Sequence, residues 1–274
     1  MNDSEKFTKP FKISIPKSLI VALITVICLQ FSSAILNLPS QYFKELFHLT
    51  LPVSFLLGGG IAIYILLNYV ETTWKDILES LWKPSSLAIL FLSILLYLFL
   101  LPFVEFVSSM VPTQGIPFLE EFYKKFLESF EIMLDYKIAG FITVCILAPI
   151  LEEIIFRGIL LRGLLQNGTS PVFAIFLSSV LFGLAHLNPW QFFGAGMLGA
   201  VFGFIYYRTK SLWICIFLHA LNNMISFIFM LYYGTMDETV SNTNNSTFMI
   251  ILFVGAIFVG WTLKKLTQNK EKWT

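Results

Sequence analysis

Eight mainly apolar stretches follow one another along the chain, at 18–38, 52–70, 86–110, 138–162, 171–187, 190–207, 211–233 and 247–265. About 20 such residues wound as a helix span the hydrocarbon core of a bilayer. In lipid, every backbone polar group must be satisfied inside its own helix or within a closed barrel. A chain that repeats the pattern eight times is therefore expected to be an all-α, polytopic membrane helical bundle of about eight transmembrane helices. Breakers and charges separate the runs, among them Pro39, "ETTWKDILESLWKPSS", Pro112 with Pro117, "QNGTSP", "NPW" and "RTKS". Only "LNPWQ" divides the fifth run from the sixth, which suits a tight hairpin or a partly re-entrant turn. Charged residues make up 13% of the 274 positions, against about 25% in soluble domains.

The first run follows Lys6, Lys9, Lys12 and Lys17 but is too long for a signal peptide and ends without a small-residue cleavage site, so it is read as a retained helix. With eight crossings, Lys6, Lys9, Lys12, Lys17, Lys75, Lys83, Arg162, Arg208, Lys210, Lys264, Lys265, Lys270 and Lys272 fall on one side, and Lys44, Lys124, Lys125 and Lys137 on the other. Cytoplasmic loops are the Lys/Arg-rich ones, so both termini are expected in the cytoplasm. Between the third and fourth runs, "PFLEEFYKKFLESFEIMLDYK" has apolar residues at helical spacing with a charged opposite face. It reads as an amphipathic helix in the outer interface, a connector leading into the fourth run. Ala195, Gly199 and Gly203 recur every four residues, as small residues do where helices approach closely, and "GGG" at 58–60 reads the same way. Cys28, Cys145 and Cys215 lie in separate apolar runs without CxxC spacing and read as small hydrophobes.

The fourth run breaks its own rule with "LEEIIFRG", residues 151–158. A charge near the bilayer centre costs at least ~2.5–3.5 kcal/mol, so Glu152, Glu153 and Arg157 need partners. Glu153 and Arg157 are four apart and share a helix face, whereas Glu152 is turned about 100° away. Later runs supply few polar groups. "LFGLAH" sets Phe182 and His186 one turn apart, and "LHALNN" does the same for His219 and Asn223. At 1.5 Å per residue these groups lie roughly 12–22 Å deep, so they can meet near mid-membrane as a polar chamber. A glutamate with a histidine can deprotonate a held water, and a second histidine with an asparagine can donate hydrogen bonds to an oxyanion. The same donors could bind zinc, through Glu152, His186 and His219, although HExxH is absent.

The three motifs "EEIIFR" (152–157), "FGLAH" (182–186) and "HALNN" (219–223) resemble, in order, those of the CAAX prenyl protease and bacteriocin-processing family of intramembrane proteases (the type II CAAX proteases and their bacterial abortive-infection relatives). The resemblance covers roughly 138–225 and implies catalytic roles for Glu152, His186, His219 and Asn223. Glu152 would be the base on water, His186 would hold that water, and His219 with Asn223 would form the oxyanion site. Glu153 and Arg157 would order the fourth helix and orient Glu152. It also implies division into 1–137 (tail, three transmembrane helices, interfacial helix), 138–233 (catalytic core) and 234–274 (last helix and tail). The expected function is intramembrane endopeptidase activity on a membrane-associated peptide or protein. The alternatives are a silent scaffold or bacteriocin-immunity factor on the same fold, and a proton-coupled transporter. A net charge of +1 without basic clusters gives no sign of a nucleic-acid partner. The lipid bilayer is the expected surrounding, and residue usage points to a bacterial plasma membrane.

Overall fold

The computed structural model describes residues 10–81, 83, 85–234, 246–267 and 273; Lys6, Lys9, Lys270 and Lys272 lie outside the described residues. Among the described residues the chain is helical and has no strand. The elements are α1 (Ile15–Leu36), α2 (Leu38–Tyr42), α3 (Phe47–Tyr69), α4 (Trp74–Leu81), α5 (Leu87–Ser108) and α6 (Pro117–Asp135), followed by a continuous helical run, Lys137–Gln166. Then come α10 (Pro171–Ala185), α11 (Pro189–Thr209), α12 (Leu212–Tyr233) and α13 (Ser246–Leu266). The run 137–166 contains α7 (Lys137–Phe141), α8 (Ala148–Glu153) and α9 (Arg162–Gln166), joined by π-helical stretches at Ile142–Leu147 and Ile154–Leu161.

Every apolar run is helical, which makes this an integral membrane bundle. Six helices are long and apolar enough to cross a membrane: Ile15–Leu36, Lys44–Tyr69, Leu87–Ser108, Lys137–Gln166, Leu212–Tyr233 and Met249–Leu266. The expected eight is not reached at α10 and α11. The former is apolar but has 15 residues, about 22 Å of helix against a core of about 30 Å. The latter has 21 residues but carries Gly194, Gly196, Gly199, Gly203 and Arg208 and is not among the six. The two form a tight hairpin. Leu187 turns the chain at φ 57°, and Asn188 caps α11 by accepting from the Gln191 amide at 2.8 Å. A Cβ on Gly183 would stand 2.5 Å from the Phe192 carbonyl oxygen, so the backbones touch only because that side chain is missing.

Of the six, the run 137–166 is the most enclosed. Ile155, Ile159, Leu160 and Leu161 are inaccessible to solvent. Gly59 of α3 lets its helix close on Leu151, whose Cδ1 would lie 2.7 Å from a Cβ there. A helix surrounded by helices can carry charges that a lipid-facing one cannot.

Contacts tie the basic segments together at one end of the bundle. The Ile13 amide donates to Gly163 O at 3.0 Å and Arg162 Nη1 to Asp76 O at 2.7 Å. Ser211 Oγ donates to Lys83 O at 3.1 Å and Arg208 Nη2 to Lys264 O at 2.6 Å. At the opposite end, α6 lays Phe122, Tyr123 and Phe126 against Trp190 of α11, with ring centroids 5.7, 4.8 and 5.9 Å away. Its outer face carries the exposed pair Lys125–Glu121 at 2.7 Å, which lowers the Glu121 carboxyl and raises the Lys125 ammonium from their ordinary ranges. The three cysteines are free thiols.

Candidate active site

Charge sits at the centre of the bundle because Glu153 and Arg157 are partnered there by each other and by groups from neighbouring helices. Glu153 and Arg157 are 0% and 1% exposed. Arg157 Nη1 donates to Glu153 Oε1 at 2.8 Å and Nη2 to the Gly199 carbonyl oxygen at 3.1 Å. The guanidinium lies 4.5 Å from the centre of the Phe182 ring. Gly199 is tight for the same reason: a Cβ there would stand 3.2 Å from Phe182 Cδ1 and 3.4 Å from Arg157 Nη2. The small-residue spacing of α11 thus serves the arginine as well as the packing.

His219 of α12 completes the cluster. Its Nδ1 lies 2.9 Å from Glu153 Oε1 and its Nε2 3.8 Å from Glu152 Oε2. A carboxylate only accepts, so the Nδ1 proton points at Glu153. The neutral ring then presents a lone pair at Nε2, and the imidazolium presents an N–H. The ring is wedged between Phe182, edge-on at 5.7 Å, and Phe202 at 5.9 Å. Glu153 and Arg157, expected to orient Glu152, hydrogen-bond to each other, to His219 and to the Gly199 carbonyl.

His186 closes α10, with Nδ1 2.9 Å from the Phe182 carbonyl oxygen and its ring perpendicular to the Phe182 ring at 5.1 Å. The carbonyl can only accept, which leaves Nε2 as an acceptor in the neutral ring. Asn223 Nδ2 donates to Val144 O at 2.8 Å. Val144 lies in the first π-helical stretch, and Pro149 has no N–H to offer the carbonyls one turn back; the asparagine supplies a donor instead. An amide nitrogen carries two hydrogens, so one remains.

Two residues that motif reading did not select complete this network. Tyr97 of α5, fully buried, donates to Asn222 Oδ1 at 3.2 Å, and Asn222 Nδ2 donates to Asn223 Oδ1 at 3.2 Å. A tyrosine inside an apolar helix gives no local signal of such a contact.

Glu152, His186, His219 and Asn223 all line one cavity of about 930 Å³. From His219 it follows one face of α12 through Asn223, Ser226 and Phe227 to Met230, away from the end where Ser211 meets Lys83. Its far walls are Pro112–Gln114 and the aromatic face of α6. The amphipathic helix expected to be a connector therefore also walls the chamber.

A zinc site would need Glu152, His186 and His219 as one ligand set. Among the described residues, no group of three or more His, Cys, Asp or Glu side chains is gathered so as to hold a metal ion. The donors do not fit such a site.

Residues 135–225 match the family described as type II CAAX prenyl endopeptidase Rce1-like. Over 115 residues the chain is 36% identical to a Bacillus subtilis (strain 168) protein named "Putative membrane peptidase YdiL". That match takes in 42% of this chain and 44% of the relative, so the chain spans less than half the length of the curated protein it matches. No solved structure matches significantly.

Proposed function

We propose that this chain, whose segment 135–225 belongs to the CAAX prenyl protease and bacteriocin-processing family, is an intramembrane endopeptidase that hydrolyses a peptide bond of a membrane-associated peptide or protein. One observation carries the reading: four separately positioned polar side chains, Glu152, His186, His219 and Asn223, border the same cavity inside an apolar bundle. Buried polar groups are costly to keep, and a structural role for each would not require that they share a chamber.

In the proposed chemistry, water held by Glu152 and His186 Nε2 attacks the substrate carbonyl carbon. Its proton passes to Glu152 as the C–O bond forms, and the carbonyl π electrons move to oxygen. The oxyanion accepts from the remaining Asn223 amide hydrogen and from His219 Nε2–H. That role requires the imidazolium, with its Nδ1–H committed to Glu153. Collapse of the intermediate breaks the C–N bond, and the amine leaves with the proton from Glu152. Glu153 and Arg157 act through His219 and are positioning residues in this scheme.

The test is comparison of membrane-protein termini in cells carrying wild type and Glu152→Gln, a change that keeps size and removes basicity. New termini present in wild type and absent in the variant are expected. Identical termini, with both proteins present at equal levels, would return the cluster to a structural role.

A further inference from the structure

The cavity carries a second carboxylate, remote in sequence from the motifs. Glu105, one turn from the end of α5, lines it along with Val104 and Ser108. Among the described residues its carboxylate has no hydrogen bond or ion pair. Among the described residues no lysine or arginine lines the cavity, and its carboxyl groups are those of Glu105 and Glu152. Its wall also includes Trp190, 8% exposed, whose indole Nε1–H has no acceptor among the described residues. Tyr123 and Phe126 pack on that indole and line the cavity beside it.

This is an apolar, aromatic chamber with a carboxyl group and an N–H donor that have no partner among the described residues. An occupant that displaces water must give each a partner or leave it bare, which costs more than the contact gains. A peptide carbonyl suits the indole. A cation suits the carboxylate, and aromatic faces nearby add to its attraction. An acidic occupant would meet like charge at both glutamates. We propose that Glu105 is the specificity residue of a cation subsite that takes the lysine or arginine side chain of an otherwise apolar peptide. Naming that peptide a substrate rests on the protease reading; the subsite itself does not.

Binding, not cleavage, tests it. The probes are fluorescent, N-acetylated and C-amidated apolar peptides, scanned with lysine at each position, together with the norleucine parent and a glutamate series. The receptor is the full chain carrying Glu152→Gln in detergent micelles, which leaves Glu105 as the carboxylate lining the cavity. At one or a few positions lysine should tighten binding about tenfold, the scale of a charge-assisted hydrogen bond in a partly screened site. Adding Glu105→Gln should erase that preference while leaving the parent's affinity unchanged, and Glu105→Lys should transfer it to glutamate peptides. Glu105→Asp should retain it, which guards against a variant that merely misfolds. A lysine preference that survives Glu105→Gln, no preference at any position, or no binding by any peptide overturns the proposal. A positive result stands even where no cleavage is found, so this subsite and the protease reading fail separately.

Discussion

Arg157 satisfies three different surfaces with one planar group: a carboxylate, a backbone carbonyl on another helix, and an aromatic face. Removing it strands Glu153 as a buried charge, and breaking such a pair costs about 3–5 kcal/mol. Arg157→Ala should therefore lower the melting temperature and membrane abundance along with activity. Arg157→Lys should recover little, because an ammonium lacks the two-armed geometry and the stacking plane. A purified Arg157→Ala protein that melts like wild type would remove the structural role. Glu153→Gln asks a narrower question. It keeps a side chain of the same size beside His219 Nδ1 but withdraws the charge that supports the imidazolium. Turnover should fall about 10²-fold or more, as when a preorganised donor is lost, with KM changing far less; a KM effect alone would mean that His219 contacts substrate in the ground state. The Glu153–Arg157 pair could be seen in the sequence because helical geometry links positions four apart. The Glu153–His219 contact could not, because 66 residues separate the partners and only packing brings them together. Tyr97 lay further out of reach, since nothing in its own helix marks it as polar.

At the scale of elements, the α10–α11 hairpin is the part whose sequence signal was weakest and whose placement matters most. It delivers His186, Phe182 and the Gly199 carbonyl to the site, yet neither helix meets the length and apolarity of a full crossing. Periodicity revealed the helices and their turn. It could not settle whether they cross, because glycine lowers hydropathy for the same reason that it permits close packing. The hairpin's tightness can be tested directly. Gly183→Ala sets a Cβ 2.5 Å from a backbone oxygen, which cannot swing aside as a side chain can. Overpacking of this kind costs about 1–3 kcal/mol, read as a lower melting temperature with reduced activity. Gly60→Ala, where nothing lies within 4 Å, is the control and should melt as wild type or slightly higher, alanine being the better helix former. Equal behaviour of the two variants would mean that the helices separate freely.

For the whole molecule, the direction of the cavity sets which side of the membrane supplies its occupant. Lys12, Lys17, Lys75, Lys83, Arg162, Arg208, Lys210, Lys264 and Lys265 belong to segments gathered by direct contacts at one end. The cavity runs from the middle of α12 to the other end, where Gln114 and α6 stand. Loops rich in Lys and Arg stay in the cytoplasm, so the mouth is expected on the outer face, with the reacting groups near mid-membrane. The charge count was legible from sequence. The mouth was not, since it depends on which face of α12 is left uncovered. Asn244 and Lys270 lie outside the described residues, but two exposed loop positions report the orientation directly. With Cys28, Cys145 and Cys215 replaced by alanine, cysteine is introduced singly at Gln114 and at Asn167, both exposed and at opposite ends. A charged maleimide that does not cross membranes is then applied to intact cells. Gln114→Cys should label at once, and Asn167→Cys only after the cells are opened. The reverse pattern would turn the bundle over, place the cavity mouth in the cytoplasm, and require that any peptide reaching Glu152 arrive from inside the cell.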